Sequence, residues 1–408
     1  MRASNSIKIG MVLDKKLPDT RVENEAAILG KAGLDVTLLA LDFGGGKKRS
    51  ENRAGYKVYW LPFNKLIVNK LRPFSGTIFD IYSLLWWAII RRFIKDAKID
   101  ILHLHDLYMG LPVLGKKMPF IVDLHENYPA TVVSYNWSRK FPLNLILKKS
   151  IWKKQEKRIL REASGIITLS QDYANLLAGE HKAVNFSDKF CIYPNVPDLS
   201  YLEKLSSDKE IYKSAGRITL FYYGVVAERR GIFECFAALR NLKSEILNLH
   251  LLIVGPLDNA DRKRFKDGVN EFKEMTTYIP WVDFSDFASL VKEVDICLSP
   301  IKKNEHHESG IANKVFQYMY FRKPVIVSNC LPQQRVVENY NCGYVYKSGD
   351  YNDLARVIAQ AYSEQDRFAD MGDRAHKAIE EEFNTQIMGK NLTAFYRKFT
   401  SDEINRDA

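Results

Sequence analysis

Short apolar, β-branched runs alternate with longer stretches of helical period along this chain, and the series runs through twice. Parallel sheets covered by helices on both faces demand that pattern, because every crossover to the next parallel strand needs a dozen or more residues. The first series places strands at 7–13, 36–41, 58–61, 99–103, 120–124, 165–169 and 189–193. The second restarts at 218–223 and continues through 249–254, 277–279, 296–299, 324–328 and 343–346. The expected architecture is α/β: two doubly wound, Rossmann-like parallel-sheet domains at 1–197 and 210–384, with a closing helical segment at 385–408. A length of 408 residues suits two such domains at about 100–200 residues each.

Composition narrows the class further. Hydrophobic residues make up 46% and charged residues 27%, which excludes a solvated chain without a core. Cys191, Cys235, Cys297, Cys330 and Cys342 are widely spaced with no C-x-x-C pair, so neither a disulfide framework nor a thiolate zinc site is expected. The segment opening at Met1 has no apolar signal core, and a cytoplasmic location is the expectation. The charge is lopsided: residues 1–200 hold 31 Lys and Arg against 19 Asp and Glu, while the remainder is near neutral at 29 against 30. Such a field selects an anionic partner. No aromatic-interleaved module of the RRM or OB type accompanies it, so nucleic acid is not the expected partner. That leaves an anionic membrane surface or a phosphorylated substrate. Segment 77–94 is apolar but interrupted by Asp80, too short to span a bilayer, and 138–163 mixes Phe, Leu, Ile and Trp with Lys and Arg at helical spacing. Both suit peripheral contact with the inner face of a membrane, and the second equally suits a core-facing helix with a solvated basic side.

Five stretches are candidates for carrying chemistry. Gly44-Gly45-Gly46-Lys47-Lys48 lacks the helix a phosphate loop requires directly behind it and reads as a plain loop. Tyr223-Gly224 through Arg229-Arg230-Gly231 sets a strand, a tight turn and two guanidiniums ahead of an apolar helix, a combination that suits a diphosphate. In Glu308-Ser309-Gly310-Ile311-Ala312-Asn313-Lys314, small residues open a helix, Asn313 is placed to cap it and Lys314 falls in its first turn. A cation there is unfavourable unless an anion is bound beside it. His103-Leu104-His105-Asp106 and Asp123-Leu124-His125-Glu126 each end a strand, where open α/β sheets collect substrate contacts. No H-E-x-x-H signature or i,i+4 histidine pair supports a metal, and none is expected.

Taken in order, these stretches together with 19–26, Leu252-Ile253-Val254-Gly255, Asn313-Lys314-Val315-Phe316-Gln317 and Lys323-Pro324-Val325-Ile326 resemble a family-4-type retaining glycosyltransferase of the GT-B fold. The resemblance implies transfer of a hexosyl unit from a UDP- or GDP-sugar to a lipid-linked or surface-polysaccharide acceptor in an interdomain cleft, with retention and without a metal. The nucleotide-sugar is a co-substrate, and no cofactor is implied. It further implies that Arg229, Arg230 and Lys314 hold the diphosphate with the backbone of Ala312 and Asn313. Gly224, Gly255, Trp281, Val282 and Gln317 would complete the donor side, Gln317 standing where the second glutamate of the family's E-x7-E motif usually binds ribose. His125 would touch the transferred sugar, and Asp19, Arg21, His105, Asp106 and Glu126 would border the acceptor. The chain departs from the pattern at Ser309, where the first glutamate is expected and Glu308 is the nearest substitute, and at Val225, where an arginine is usual. Alternative readings are a GT-B nucleotide-sugar epimerase and a non-catalytic subunit that binds nucleotide-sugar.

Overall fold

The computed structural model describes residues 7–77, 79–133, 147–205 and 209–399. The chain divides into two compact units, Met1–Pro194 joined by Met388–Ala408, and Asn195–Ile387.

The first unit is built on an eight-stranded sheet: β1 (Lys8–Val12), β2 (Asp35–Asp42), β3 (Arg49–Arg53), β4 (Tyr56–Pro62), β5 (Ile101–His105), β6 (Phe120–Asp123), β7 (Gly165–Thr168) and β8 (Phe190–Ile192). Their spatial order is β3-β4-β2-β1-β5-β6-β7-β8, and all pairs are parallel except β3 with β4. The sequence reading missed β3. Its residues, Arg49-Ser50-Glu51-Asn52-Arg53, are polar and mostly exposed, as an edge strand permits, so no apolar run announces it. Helices cover both faces, and buried clusters around Trp86, Phe93 and Trp152 on one side and Val22, Ala26 and Leu29 on the other form its two cores.

The second unit has six parallel strands: β9 (Ile218–Tyr223), β10 (Leu249–Val254), β11 (Thr276–Ile279), β12 (Ile296–Ser299), β13 (Val325–Ser328) and β14 (Gly343–Tyr346). Their order is β11-β10-β9-β12-β13-β14. Crossovers run outward in both directions from β9, as they do from β1 in the first sheet, and a doubly wound sheet collects its ligand-facing loops beyond the carboxyl ends of the strands there.

The segment after Pro194 packs with the second unit rather than ending the first at 197. Val196, Leu199 and Leu205 lie against that unit's core, and Pro197 accepts a hydrogen bond from the Thr385 backbone at 3.1 Å. The closing helix spans Thr385–Arg397, and its Leu392, Phe395 and Tyr396 are buried in the first unit's core. Tyr396 Oη lies 2.7 Å from His103 Nδ1.

The helix Lys149–Glu162 turns Trp152, Ile159 and Leu160 into the core and leaves Lys154, Lys157, Arg158 and Arg161 in solvent, while Lys153 is largely buried against Glu156 and Glu180. Of the two readings of 138–163, the core-facing one holds for this helix. Its apolar face is used up by packing and is not available to lipid, and residues 138–146 lie outside the described residues. Leu392 has no exposure at all, so Leu392→Ala should cost the first unit about 3 kcal/mol, measured by chemical denaturation against wild type.

Candidate active site

In the second unit, β9 ends in Tyr222-Tyr223-Gly224. Gly224 has φ +132° and Gly255, at the end of β10, has φ +138°. A Cβ at Gly255 would stand 2.1 Å from the Gly224 carbonyl oxygen, so only glycine there lets the two strand ends close on each other. The helix Asn313–Tyr320 follows the loop after β12. It has Ala312 at its N-cap with no side-chain cap hydrogen bond, so Asn313 is the first helical residue and not the cap expected from the sequence. The physical reason is that Ala312 keeps the extended backbone (φ −65°, ψ 127°) while Asn313 has already turned helical.

Lys314, in that helix's first turn, is 8% exposed. Its Nζ sits 3.8 Å from the centroid of the Tyr222 ring and 3.9 Å from where a Cβ on Gly224 would stand. Tyr222 is held by donating its hydroxyl to the Val225 carbonyl at 2.6 Å. Among the described residues no carboxylate lies within ion-pair distance of the ammonium. Burial first, and the charge of Arg230 second, push its pKa well below the usual lysine value. Arg229 is half-exposed and pairs with Asp258 at 3.1 Å, while its carbonyl accepts from the Lys302 backbone at 3.1 Å. Two histidines the sequence reading passed over complete the set. Burial pushes His306 down to about 3 and His307 to about 4, with the charges of Arg229 and Arg230 adding to the effect. His307 Nδ1 lies 2.6 Å from the Lys302 carbonyl, and its buried Nε2 has no partner. Their place just before Glu308-Ser309-Gly310 was the signal that could have found them.

Lys314, Arg229, Arg230, His306 and His307 thus act on one another electrostatically, with Arg229 paired to Asp258. Glu308 faces elsewhere: its Oε1 accepts from the Leu331 backbone at 3.0 Å and caps the helix Leu331–Tyr340. Ser309 Oγ donates to the His306 carbonyl at 2.6 Å and closes the same turn. Gln317 is half-buried one turn beyond Lys314, and Trp281 and Val282 follow edge strand β11, with Trp281 71% exposed.

In the first unit, Arg21 on helix α1 (Thr20–Lys31) grips Asp123 with both arms, Nε to Oδ2 at 3.0 Å and Nη2 to Oδ1 at 2.7 Å. It also donates to the Tyr193 carbonyl at 2.7 Å and reaches Glu25 at 3.1 Å. Asp19 is the N-cap of α1, accepting from the Val22 backbone. His125 Nε2 donates to Asp123 Oδ2 at 2.9 Å and lies 3.1 Å from His105 Nδ1; its Nδ1 is 3.6 Å from Asp106. Asp106 in turn accepts from Lys15 at 2.8 Å.

Burial opposes charge on His125, but Asp123 and Asp106 outweigh it and raise its pKa. Burial and the neighbouring His103 drive His105 well below its usual value, so of the two rings His125 is the one whose surroundings favour a proton. For Asp106, burial raises the pKa but the charges of His125 and Lys15 bring it to about 2. Glu126 is pushed up to about 7 by burial and by Asp106. His105 is wholly buried and the Arg21 side chain only 9% exposed. They lie beneath the surface and orient His125, which is itself partly exposed, rather than bordering an acceptor directly.

Glu25, His103, His105 and Asp123 bring four potential ligand atoms within 4.8 Å of one another. Arg21 already engages both carboxylates, and its positive charge opposes a dication there. The set reads as an ion-paired, proton-sharing network.

The comparisons follow this geometry. The fold is the two-domain GT-B arrangement of Rossmann-like sheets, matched by sucrose-phosphate synthase from Thermosynechococcus elongatus at TM-score 0.72, with 15% identity over 97% of this chain and 100% of that one. HepE from Anabaena, solved with UDP, matches at TM-score 0.68, with 12% identity over 96% and 100%. Residues 19–200 match the family model Glycosyltransferase Family 4, and residues 204–378 match Glycosyl transferases group 1. The chain belongs to the family-4-type glycosyltransferases. It is 22% identical over 182 residues to the capsular polysaccharide biosynthesis glycosyltransferase CapM of Staphylococcus aureus, a match spanning 44% of this chain and 46% of that protein.

Two outcomes test this electrostatic description. An unpaired buried cation costs stability, so Lys314→Met should raise the stability of the ligand-free protein by about 1 kcal/mol or more, read by thermal unfolding. Glu126 holds its proton more tightly folded, at about 7, than at the ordinary 4.5; its stabilising contribution is complete below 4.5 and is lost as the pH climbs through about 7. Glu126→Gln should flatten that decline, measured as unfolding midpoints across the same window.

Proposed function

We propose that this protein is a retaining, metal-independent hexosyltransferase that moves a sugar from a nucleoside-diphosphate donor to a lipid-linked or surface-polysaccharide acceptor. One observation carries the donor assignment. The ammonium of Lys314 is buried on Tyr222 beside Gly224, without a carboxylate, at the amino end of a helix and within the field of Arg230. A buried cation of this kind needs an anion, and a diphosphate supplies two phosphoryl groups to helix N–H donors and fixed cations together. The UDP held by the Anabaena relative supports a uridine nucleotide as the first donor to try.

In the reaction, the bond between the sugar's anomeric carbon and the diphosphate oxygen breaks with both electrons leaving on the oxygen. Lys314, Arg229 and Arg230 stabilise that growing charge, the task on which such transfers chiefly depend. The acceptor hydroxyl attacks from the face the diphosphate has just left, and its proton passes to a diphosphate oxygen. Retention follows, with no protein nucleophile. His125, charged and anchored to Asp123, donates a hydrogen bond to a hydroxyl of the transferred sugar. The capsular polysaccharide relative supports a glycan or lipid-linked glycan as acceptor.

The test begins with UDP- and GDP-sugars in a thermal-shift panel, followed by turnover with the stabilising donor. Lys314→Ala and Arg230→Ala should each lower turnover by about 100-fold or more while circular dichroism stays unchanged. Burial lowers the pKa of Lys314 in the free protein and a bound diphosphate would raise it again, so diphosphate binding should be accompanied by net proton uptake, visible by calorimetry in buffers of different ionisation enthalpy. Normal transfer by both variants would remove the diphosphate role.

A further inference from the structure

Among the described residues, every exposed large hydrophobic side chain of the first unit falls between residues 66 and 84: Leu66, Ile67, Phe79, Ile81 and Leu84, from 43% to 71% exposed. Leu66 and Ile67 lie on one helix, Ile81 and Leu84 on the next, and Phe79 in the turn between them. Helix α2 (Lys65–Leu71) follows β4 directly, buries only Val68, and packs against α3 (Ile81–Ala97). Helix α3 buries Tyr82, Trp86, Ile90 and Phe93 on one face. On the opposite face a single exposed stripe runs Ile81, Leu84, Ala88, Arg91, Arg92 and Lys95, apolar in its first half and cationic in its second.

We infer that α2 and the exposed stripe of α3 form the face by which this protein lies on an anionic lipid bilayer. Charge complementarity selects that occupant. From 64 to 97, the end of α3, the chain has six basic residues and two acids, Asp80 and Asp96, and Asp96 pairs with Lys48 at 2.7 Å and Arg92 at 3.7 Å. Asp80 is consumed as the cap of α3, accepting from the Gly76 backbone at 2.7 Å and the Ser83 backbone at 2.9 Å. Lys65, Lys70 and Arg91 have no carboxylate partner among the described residues. Apolar side chains beside cations that outnumber their acids match the acyl boundary and headgroups of acidic lipid. A second copy of the chain suits the face poorly, because a two-fold pairing would set these cations against their own kind. No helix among the described residues is long and apolar enough to cross a membrane, so this contact lies on the surface.

The face is also tied to the acceptor-side residues. Tyr82, next to Ile81, donates its hydroxyl to Asp14 Oδ2 at 2.5 Å, and Arg72, just past α2, reaches the same oxygen at 3.5 Å. Tyr108 donates to Asp14 Oδ1 at 2.8 Å and to Asp106 at 3.2 Å, and Asp106 faces His125. Docking by α2 and α3 therefore brings the carboxyl edge of the first sheet to the bilayer, where a lipid-linked acceptor presents its sugar. That purpose rests on the transferase reading, while the docking itself does not.

Full-length protein is sedimented with vesicles of phosphatidylcholine alone or with about 30% phosphatidylglycerol. Binding is expected to the anionic vesicles, to weaken as salt is raised, and to be slight on neutral ones. Leu66→Ser/Ile67→Ser/Leu84→Ser and, separately, Arg91→Glu/Arg92→Glu should each weaken it by about tenfold or more. These positions are exposed, so folding and the nucleotide thermal shift should match wild type. Failure of wild type to bind anionic vesicles, undiminished binding by the triple variant, or a wild-type dimer that the triple variant dissolves would each overturn the docking face. Vesicle binding without any nucleotide shift would overturn the donor reading alone and leave the face standing.

Discussion

Among the described residues every strand pair but one is parallel, and that constraint determines where the chemistry sits. A parallel strand is reached only by a crossover, so each strand's carboxyl end opens into a loop at the same edge of its sheet. Gly224, at the end of β9, and the loop leading from β12 to the helix Asn313–Tyr320 meet for that reason. His105-Asp106 after β5 and His125 after β6 meet for the same reason in the other unit. Residues separated by dozens of positions become neighbours without any long-range pairing rule of their own.

The two edges solve the problem of buried charge in opposite ways. At the first unit's edge the buried charges are paired: Arg21 with Asp123, Lys15 with Asp106, and His125 between the two carboxylates. The balance favours a proton on His125 over its neighbour His105 and sets how the ring points. In the second unit Lys314 has an aromatic face and neighbouring cations, a balance that an incoming anion completes. One edge is organised before any ligand arrives; the other holds an unmet electrostatic demand.

Most of this was legible because it is carried by strongly patterned segments. The apolar runs of both sheets announce their strands, and Gly224, Arg230 and Lys314 stand at strand and helix ends where spacing alone exposes them. What escaped was set by tertiary context. Strand β3 is polar and leaves no periodic signal. Asn313 has the chemistry of a cap but sits one residue too late to act as one. Glu308 looked like a sugar anchor and instead caps the helix Leu331–Tyr340, a contact made across 23 residues of sequence that no local motif records. The amphipathic helix Lys149–Glu162 shows that a basic apolar pattern does not say which face meets what. The burial of His105 and Arg21 beneath His125 likewise depends on three strands converging, which spacing cannot specify.

The return of the last helix to the first unit has a consequence for how the chain is made. Residues 195–387 form a contiguous unit, whereas the first unit lacks Leu392, Phe395 and Tyr396 until the helix Thr385–Arg397 has left the ribosome. Vectorial synthesis therefore presents the earlier-made unit with an open seam over β1, β5 and β6, while the later-made one can close on its own. The amino-terminal half is the last to be finished, and a nascent chain arrested before residue 388 leaves it with the Tyr396 hydroxyl missing from His103.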